Sequence, residues 1–266
     1  MSVITFMTDF GLQDDFVGTC HGVIAGIAPD ARVIDVTHGI APQAVLQGAL
    51  VLRNTTPYMP VGVHLAVVDP GVGGDRRAVA LRTNDGRVFV GPDNGLLTLV
   101  ADELGIDAAY ELTAERYRLP DVSHTFHARD VFAPAAAHLA AGVELAELGP
   151  ALDPAELVRV VVPDPALGRS QISATVLSVD RFGNIATNAR RRHLDALGLE
   201  NGDRAEVRVA LDRYYAIVAD TFADAPTGEL ILYEDSSALV TLAISLGDAA
   251  RLTGADAGDE LRIVAG

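Results

Sequence analysis

Asp69, Arg76 and His127 are the residues best placed to do chemistry. They sit in DPGVGGDR (69–76) and TFHARD (125–130), segments of turn formers and charges rather than of core residues. An acid, a guanidinium and an imidazole can together hold one water. The fixed positive charge orients the water and favours its hydroxide character, while the carboxylate and the imidazole accept and relay its proton. Each residue also has an ordinary explanation, since Asp before Pro-Gly is common turn chemistry and a His-Asp pair near a helix start is often a cap. A second group is TDFGLQDD (8–15). Asp9 follows an apolar strand, where a carboxylate can accept both hydroxyls of a ribose diol, whereas Asp14 and Asp15 suit the positive end of the next helix. A third is DRFGNIATN (180–188), in which Phe182 offers a stacking face, Gly183 a close backbone approach, and Asn184 a paired donor and acceptor suited to an adenine edge.

A hydrolytic metal site built from Asp9, Asp14, Asp69, His127 and Asp130 is the competing reading. The histidines (21, 38, 64, 124, 127, 138, 193) show no HxH, HExxH or HxxxH pair, and His124 with His127 is the nearest approach, so no metal is expected. Neither GxGxxG after a strand nor GxxxxGK[ST] occurs, which favours a ligand recognised without a phosphate cradle.

The elements that must position these residues alternate through residues 1–163. VITFM, ARVIDV and VHLAVV read as buried strands, and DDFVGTCHGVIAGI, PQAVLQGALVLRNT and LLTLVADEL read as helices, with a strand pair around AVALR and RVFVG. This pattern predicts an α/β domain with a mostly parallel central sheet, placing Asp9 and Asp69 at strand carboxyl ends, where open sheets collect ligands. His127 and Arg129 fall on the loop entering the helical pattern VFAPAAAHLAAG. Residues 164–170, part of a Pro- and Gly-containing stretch without periodicity, are expected to link this domain to a smaller β-barrel-like domain over 171–266, built from ISATVLSVD, RAEVRVAL, YYAIVAD, ELILYE, LVTLAIS and ELRIVAG.

The composition narrows the class. With 49% hydrophobic and 21% charged residues the chain is globular, and its net charge of −16 argues against nucleic-acid or anionic-membrane partners. The single cysteine, Cys20, excludes an intrachain disulfide and lies in a helical apolar pattern as filler. The amino-terminal stretch lacks a basic region followed by a long apolar run, so a cytoplasmic address is expected.

Seven ordered blocks, TDFGLQDD, IDVTHGIAPQAVLQGA, VVDPGVGGDRR, VGPDNGLL, TFHARDVFAPAAAHLA, DRFGNIATN and TFADAPTGELILYEDSS, resemble the S-adenosylmethionine (SAM) hydroxide adenosyltransferase family, relatives of the fluorinase and chlorinase. The resemblance spans nearly the whole chain. It implies an enzyme that hydrolyses SAM to adenosine and L-methionine by in-line attack of activated water on ribose C5′, with no cofactor and no metal. It further implies a homotrimer whose sites lie at subunit interfaces, with Asp69, Arg76 and His127 as the water-activating triad. Asp9 would hold the ribose diol, Asn184 and Phe222 the adenine, Asp180 the methionine ammonium, and Ser236 or Ser237 the amino-acid end. In the halogenases the positions of Asp69 and His127 are tyrosines, and a serine that helps bind fluoride stands where this chain has Ala128, so hydroxide is favoured over halide. Two positions depart from the fluorinase: Ser237 stands in place of an arginine and Gln43 in place of a tryptophan. A SAM-dependent halogenase and a non-catalytic SAM- or adenosine-binding module are the alternatives.

Overall fold

The computed structural model describes residues 2–265 and divides into two compact units, Met1–Val160 and Val161–Gly266. The first holds strands β1 (Val3–Thr8), β2 (Arg32–Thr37), β3 (Val63–Val67), β4 (Ala78–Thr83), β5 (Val88–Pro92), β6 (Ile106–Glu111) and β7 (Ala151–Leu152), in the order β2-β1-β3-β5-β4-β6-β7. Pairings from β2 to β5 are parallel, and those from β5 through β4 and β6 to β7 are antiparallel. The parallel sheet expected from the sequence is thus the half that carries the site, and a meander extends it.

Helices α1 (Phe16–Ile27), α2 (Val45–Thr55), α3 (Thr98–Leu104) and α4 (Ala133–Ala140) belong to this unit. Alternation along the strands sorts its core into two layers. Ile4 and Phe6 of β1 and Leu65 of β3 join Cys20 and Ile24 of α1 and Phe132 beside α4, whereas Met7 and Ala66 join Leu52 of α2 and Val100 of α3. With both faces covered, β1 and β3 are apolar throughout apart from Thr5, Thr8 and His64, as buried parallel strands require. From β1 the chain goes to β2 on one side, then crosses to β3 on the other. The carboxyl ends of β1 and β3 therefore form the switch point of the sheet, the crevice in which such folds bind ligands.

The second unit is a closed barrel of β9 (Gln171–Val179), β10 (Ile185–Thr187), β11 (Arg204–Val209), β12 (Asp212–Val218), β13 (Leu230–Glu234), β14 (Val240–Ile244) and β15 (Glu260–Ala265). Their order is β10-β14-β13-β12-β11-β15-β9, and a β9–β10 pairing closes the ring. Short helices α5 (Arg191–Ala196) and α6 (Ala249–Thr253) accompany it. Residues 164–170, expected as a linker, carry strand β8 (Ala166–Leu167) paired with β9, and just before them Asn188 Nδ2 donates to the Pro163 carbonyl at 2.7 Å. These backbone and side-chain bonds tie the segment to the barrel. No helix among the described residues is long and apolar enough to cross a membrane.

Candidate active site

The turn after β3 and the entry to α4 bring the reactive triad together. Asp69 lies two residues beyond the end of β3. Gly73, at φ +78°, lets its loop lie against the His124 backbone carbonyl, with which any Cβ there would collide. Arg76 Nε donates to Asp69 Oδ1 at 2.9 Å and Oδ2 at 3.1 Å. Its Nη2 bonds both Asp69 Oδ2 and, at 2.8 Å, His127 Nδ1. The guanidinium lies 5.1 Å from the centre of the Phe132 ring. Asp69 and Arg76 side chains are only 5% and 11% exposed, so the pair is shielded from competing water.

This geometry sets the protonation of the imidazole. Arginine can only donate, so His127 Nδ1 accepts, and the ring is neutral with its proton on Nε2. Burial and then the Arg76 charge push the His127 pKa below its ordinary value, in agreement with that assignment. His127 can therefore donate from Nε2 to a water oxygen, while the lone pairs left on Asp69 accept the water's proton. Immediately after His127 the chain makes a π-helical turn, Ala128–Phe132, before α4 begins. Arg129, expected on a loop, lies in this turn.

A cavity of about 370 Å³ opens over the triad, and Asp9, Phe10, Phe16, Gln43, Asp69, Phe126 and His127 line it. Asp9 Oδ2 accepts the Gln43 backbone N–H at 2.8 Å, and Gln43 takes a left-handed φ of +66°. Phe10, Phe16 and Phe126 meet edge to face, with ring centres 5.2 to 5.9 Å apart. The resemblance does not single out these rings, although Phe10 and Phe126 each adjoin a named residue, Asp9 and His127.

The other acids weighed for a metal do not join this cluster. Asp14 and Asp15 are exposed and outside the cavity lining; Asp15 occupies the amino-terminal cap of α1 and accepts the Thr19 hydroxyl at 3.2 Å. Asp130 is fully buried and bonded to Arg129 and to the Ser123 N–H, bonds that outweigh burial and hold its carboxyl below the usual range. Asp69, by contrast, is bonded to Arg76 in the catalytic cluster.

The second unit has its own cavity of about 770 Å³, lined by Asp180, Phe182, Asn184, Phe222, Tyr233 and Leu246 among others. Asp180 Oδ1 accepts the backbone N–H groups of Phe182 (2.8 Å) and Asn184 (2.9 Å), and its Oδ2 accepts Asn184 Nδ2 at 2.8 Å. This turn requires Gly183 at φ +79°, where a Cβ would collide with the Asp248 carboxylate. The rings of Phe222 and Tyr233 have centres 4.9 Å apart. A smaller cavity of about 390 Å³ shares Asp180, Asn184 and Tyr233 and adds Asp235 and Ser236. Burial, then the charges of Asp235 and Asp180, raise the Tyr233 pKa. Of the two serines, Ser236 lines this cavity, whereas Ser237 lies outside the lining and donates its backbone N–H to Asp235 Oδ1.

The chain matches one family in both of its units. Residues 4–149 match the SAM hydroxide adenosyltransferase N-terminal domain and residues 174–262 the corresponding C-terminal domain. The chain belongs to the SAM hydroxide adenosyltransferase family. It is 49% identical to an (R)-S-adenosyl-L-methionine hydrolase of Salinispora arenicola, the match covering 99% of this chain and 98% of that protein. A fluorinase of Actinoplanes sp. is 32% identical, over 91% of this chain and 90% of its own length. A conserved protein from Thermotoga maritima of known crystal structure is 37% identical with a TM-score of 0.89, covering 98% of this chain and 99% of that one.

Proposed function

We propose that this protein is a SAM hydrolase that converts S-adenosyl-L-methionine and water into adenosine, L-methionine and a proton. The observation that carries the reading is the convergence of Asp69, Arg76 and His127 beside Asp9 at the switch point of the sheet, in a chain of this family. Water, held by His127 Nε2–H and Asp69, attacks ribose C5′ in line with the sulfonium. The O–C5′ bond forms as the C5′–S bond breaks, the bonding pair passes to sulfur, and the water proton passes to Asp69 and on to solvent. A sulfonium departs as a neutral thioether, so no general acid is needed. Positioning and electrostatics supply the acceleration. The same donors make the reaction independent of metal and of any cofactor.

We assign a role in binding to each group. Asp9 holds the ribose diol. Phe182, Asn184 and Phe222 take the adenine, and Asp180 with Ser236 the amino-acid end, Ser237 shaping the turn behind it. Homotrimeric assembly, with sites at subunit interfaces, and a cytoplasmic location complete the proposal; nucleic acid and membranes are not partners.

The test incubates purified protein with each sulfonium epimer of SAM in ¹⁸O-labelled water, with and without EDTA and chloride. Adenosine and methionine are expected in equal amounts from the (R) form, with label in the 5′-hydroxyl and no effect of EDTA. Methylthioadenosine or adenine as product overturns the bond assignment, 5′-chloroadenosine makes the protein a halogenase, and tight binding without turnover makes it a binding module.

A further inference from the structure

We propose that His21, Asp35 and His38 form a binding site for one divalent transition-metal ion, outside the catalytic cavity. His21 comes from α1, Asp35 from the edge strand β2, and His38 from the turn just after it. Asp35 Oδ1 lies 2.9 Å from His21 Nε2 and 3.2 Å from His38 Nε2, and one ligand atom from each residue falls within 4.8 Å of the other two. Among the described residues this is the one such cluster of three metal-ligating side chains. Two ligands of a tetrahedral zinc stand roughly 3.3 Å apart, given bonds of about 2.0–2.1 Å, and the two distances from Asp35 Oδ1 lie within a few tenths of an ångström of that spacing.

An independent observation points to a cation. The His38 side chain is only 3% exposed, yet its Nε2 forms no hydrogen bond of acceptable geometry, although a carboxylate oxygen is 3.2 Å away. Its Nδ1 faces the Thr8 hydroxyl at 2.9 Å. With the ring proton on Nδ1, donated to Thr8 Oγ1, Nε2 turns a lone pair toward the Asp35 oxygen. A buried imidazole nitrogen and a carboxylate oxygen then face each other as two acceptors, and a metal ion resolves the conflict. An imidazole whose far nitrogen is fixed by an oxygen is the usual arrangement of a ligating histidine. Phe6 packs edge-on against both imidazoles, at 5.8 Å for His21 and 4.8 Å for His38, and limits their rotation. His21 and Asp35 are partly open to solvent, which gives the ion an entry path and lets water complete its shell. Two imidazoles and one carboxylate suit zinc, nickel or cobalt and not the all-oxygen shells of calcium or magnesium.

None of the three residues lines the catalytic cavity. They brace the loop that reaches it, because the His38 carbonyl accepts the Gly11 N–H at 2.7 Å and Thr8 Oγ1 accepts the Phe10 N–H at 3.2 Å. The ion thus stiffens the segment carrying Asp9 and takes no part in the reaction.

The experiment is calorimetric titration of chelator-stripped protein with zinc sulfate. One zinc per chain is expected for the unaltered protein and for Asp69→Asn, with at least tenfold weaker binding in His21→Ala and Asp35→Asn. Both of the latter positions are partly exposed, and circular dichroism checks that the variants are folded. Absence of binding by the unaltered protein overturns the proposal, as does undiminished affinity in folded His21→Ala and Asp35→Asn, or loss of the ion in Asp69→Asn.

Discussion

On the proposed reading, the two cavities divide most of the chemistry from most of the recognition. In the first unit the lining is charged and over-determined: Arg76 bonds Asp69 and His127 at once, and the rings of Phe16 and Phe126 meet edge to face in the same cavity. In the second, one carboxylate, Asp180, also holds its own turn, and much of the surface offered to a ligand is apolar or aromatic, from Phe182, Phe222, Tyr233 and Leu246. A prearranged ion pair and a neutral imidazole can act only where charge develops in a reaction, so substitutions there should change the rate. Flat apolar rings act equally on ground and transition states, so substitutions there should change affinity.

Asp69→Asn tests this division at its largest. The amide keeps a carbonyl for Arg76 but cannot take a proton. We expect kcat to fall about 10²–10⁴-fold with KM changed only a few-fold, measured by adenosine release. A raised KM with unaltered kcat would make the first cavity a binding site and dissolve the contrast.

Stability should follow the same asymmetry. His64, on β3 beneath the site, is buried, bonded through Nδ1 to the Thr5 hydroxyl, and stacked on Phe89. Burial, then the Arg87 charge, lowers its pKa from 6.5 to about 4. The unfolded chain therefore binds the proton more readily. The stability contributed by the neutral ring is fully present above pH 6.5 and is lost progressively as pH falls toward 4, a change of roughly 3 kcal/mol. The barrel's His193 is also lowered, by burial and then by Arg192, but it is only partly buried. Thermal melts between pH 7 and 4 should show the first unit losing stability first, and His64→Leu should flatten that slope. An unchanged slope would move the acid sensitivity elsewhere.

How far the sequence revealed all this depended on how local each signal was. Strands β1 and β3 stand out because burial on both faces makes them apolar runs, and helices α1 and α2 because their apolar residues recur with the helical period. β6 does not, since Asp107 and Glu111 break its pattern where only part of it is covered, and β10 is three residues long. Asp69, Arg76 and His127 could be named because turn formers surround them. Phe16 was hidden as an ordinary first residue of an amphipathic helix, and Tyr233 as one more aromatic in a barrel strand. The cluster of His21, Asp35 and His38 escaped a search for paired histidines because it is assembled from a helix and a strand end, with only Asp35-x-x-His38 local in sequence. The segment 164–170 looked like a linker because its ties to the barrel are mostly backbone bonds, which leave no periodic trace.

A smaller effect tests the recognition half. Phe222 lines the barrel cavity against Tyr233, and stacking of a base on an aromatic ring contributes about 1–3 kcal/mol. Phe222→Ala should raise KM roughly 10–100-fold while kcat at saturation stays within a few-fold. A collapse of kcat instead would show that this ring helps to build the reacting geometry.

The smallest effect compares the two cavities at one backbone feature they share. Each has a non-glycine residue in the left-handed region, Gln43 at φ +66° in the first and Leu246 at φ +59° in the second. That conformation costs an L-residue about 1–2 kcal/mol, whereas glycine adopts it freely but returns about 0.4–1 kcal/mol through its looser unfolded chain. Gln43→Gly and Leu246→Gly should therefore both be neutral to stabilising by about 1 kcal/mol in denaturant melts. Their kinetics should part. Asp9 is bonded to the Gln43 backbone N–H, which glycine retains, so Gln43→Gly should leave KM close to its original value. Leu246 contributes its side chain to the cavity wall, so Leu246→Gly should raise KM by a few-fold. Equal KM shifts in the two variants would mean that the Gln43 side chain itself contacts the substrate, so that recognition in the first unit extends beyond Asp9.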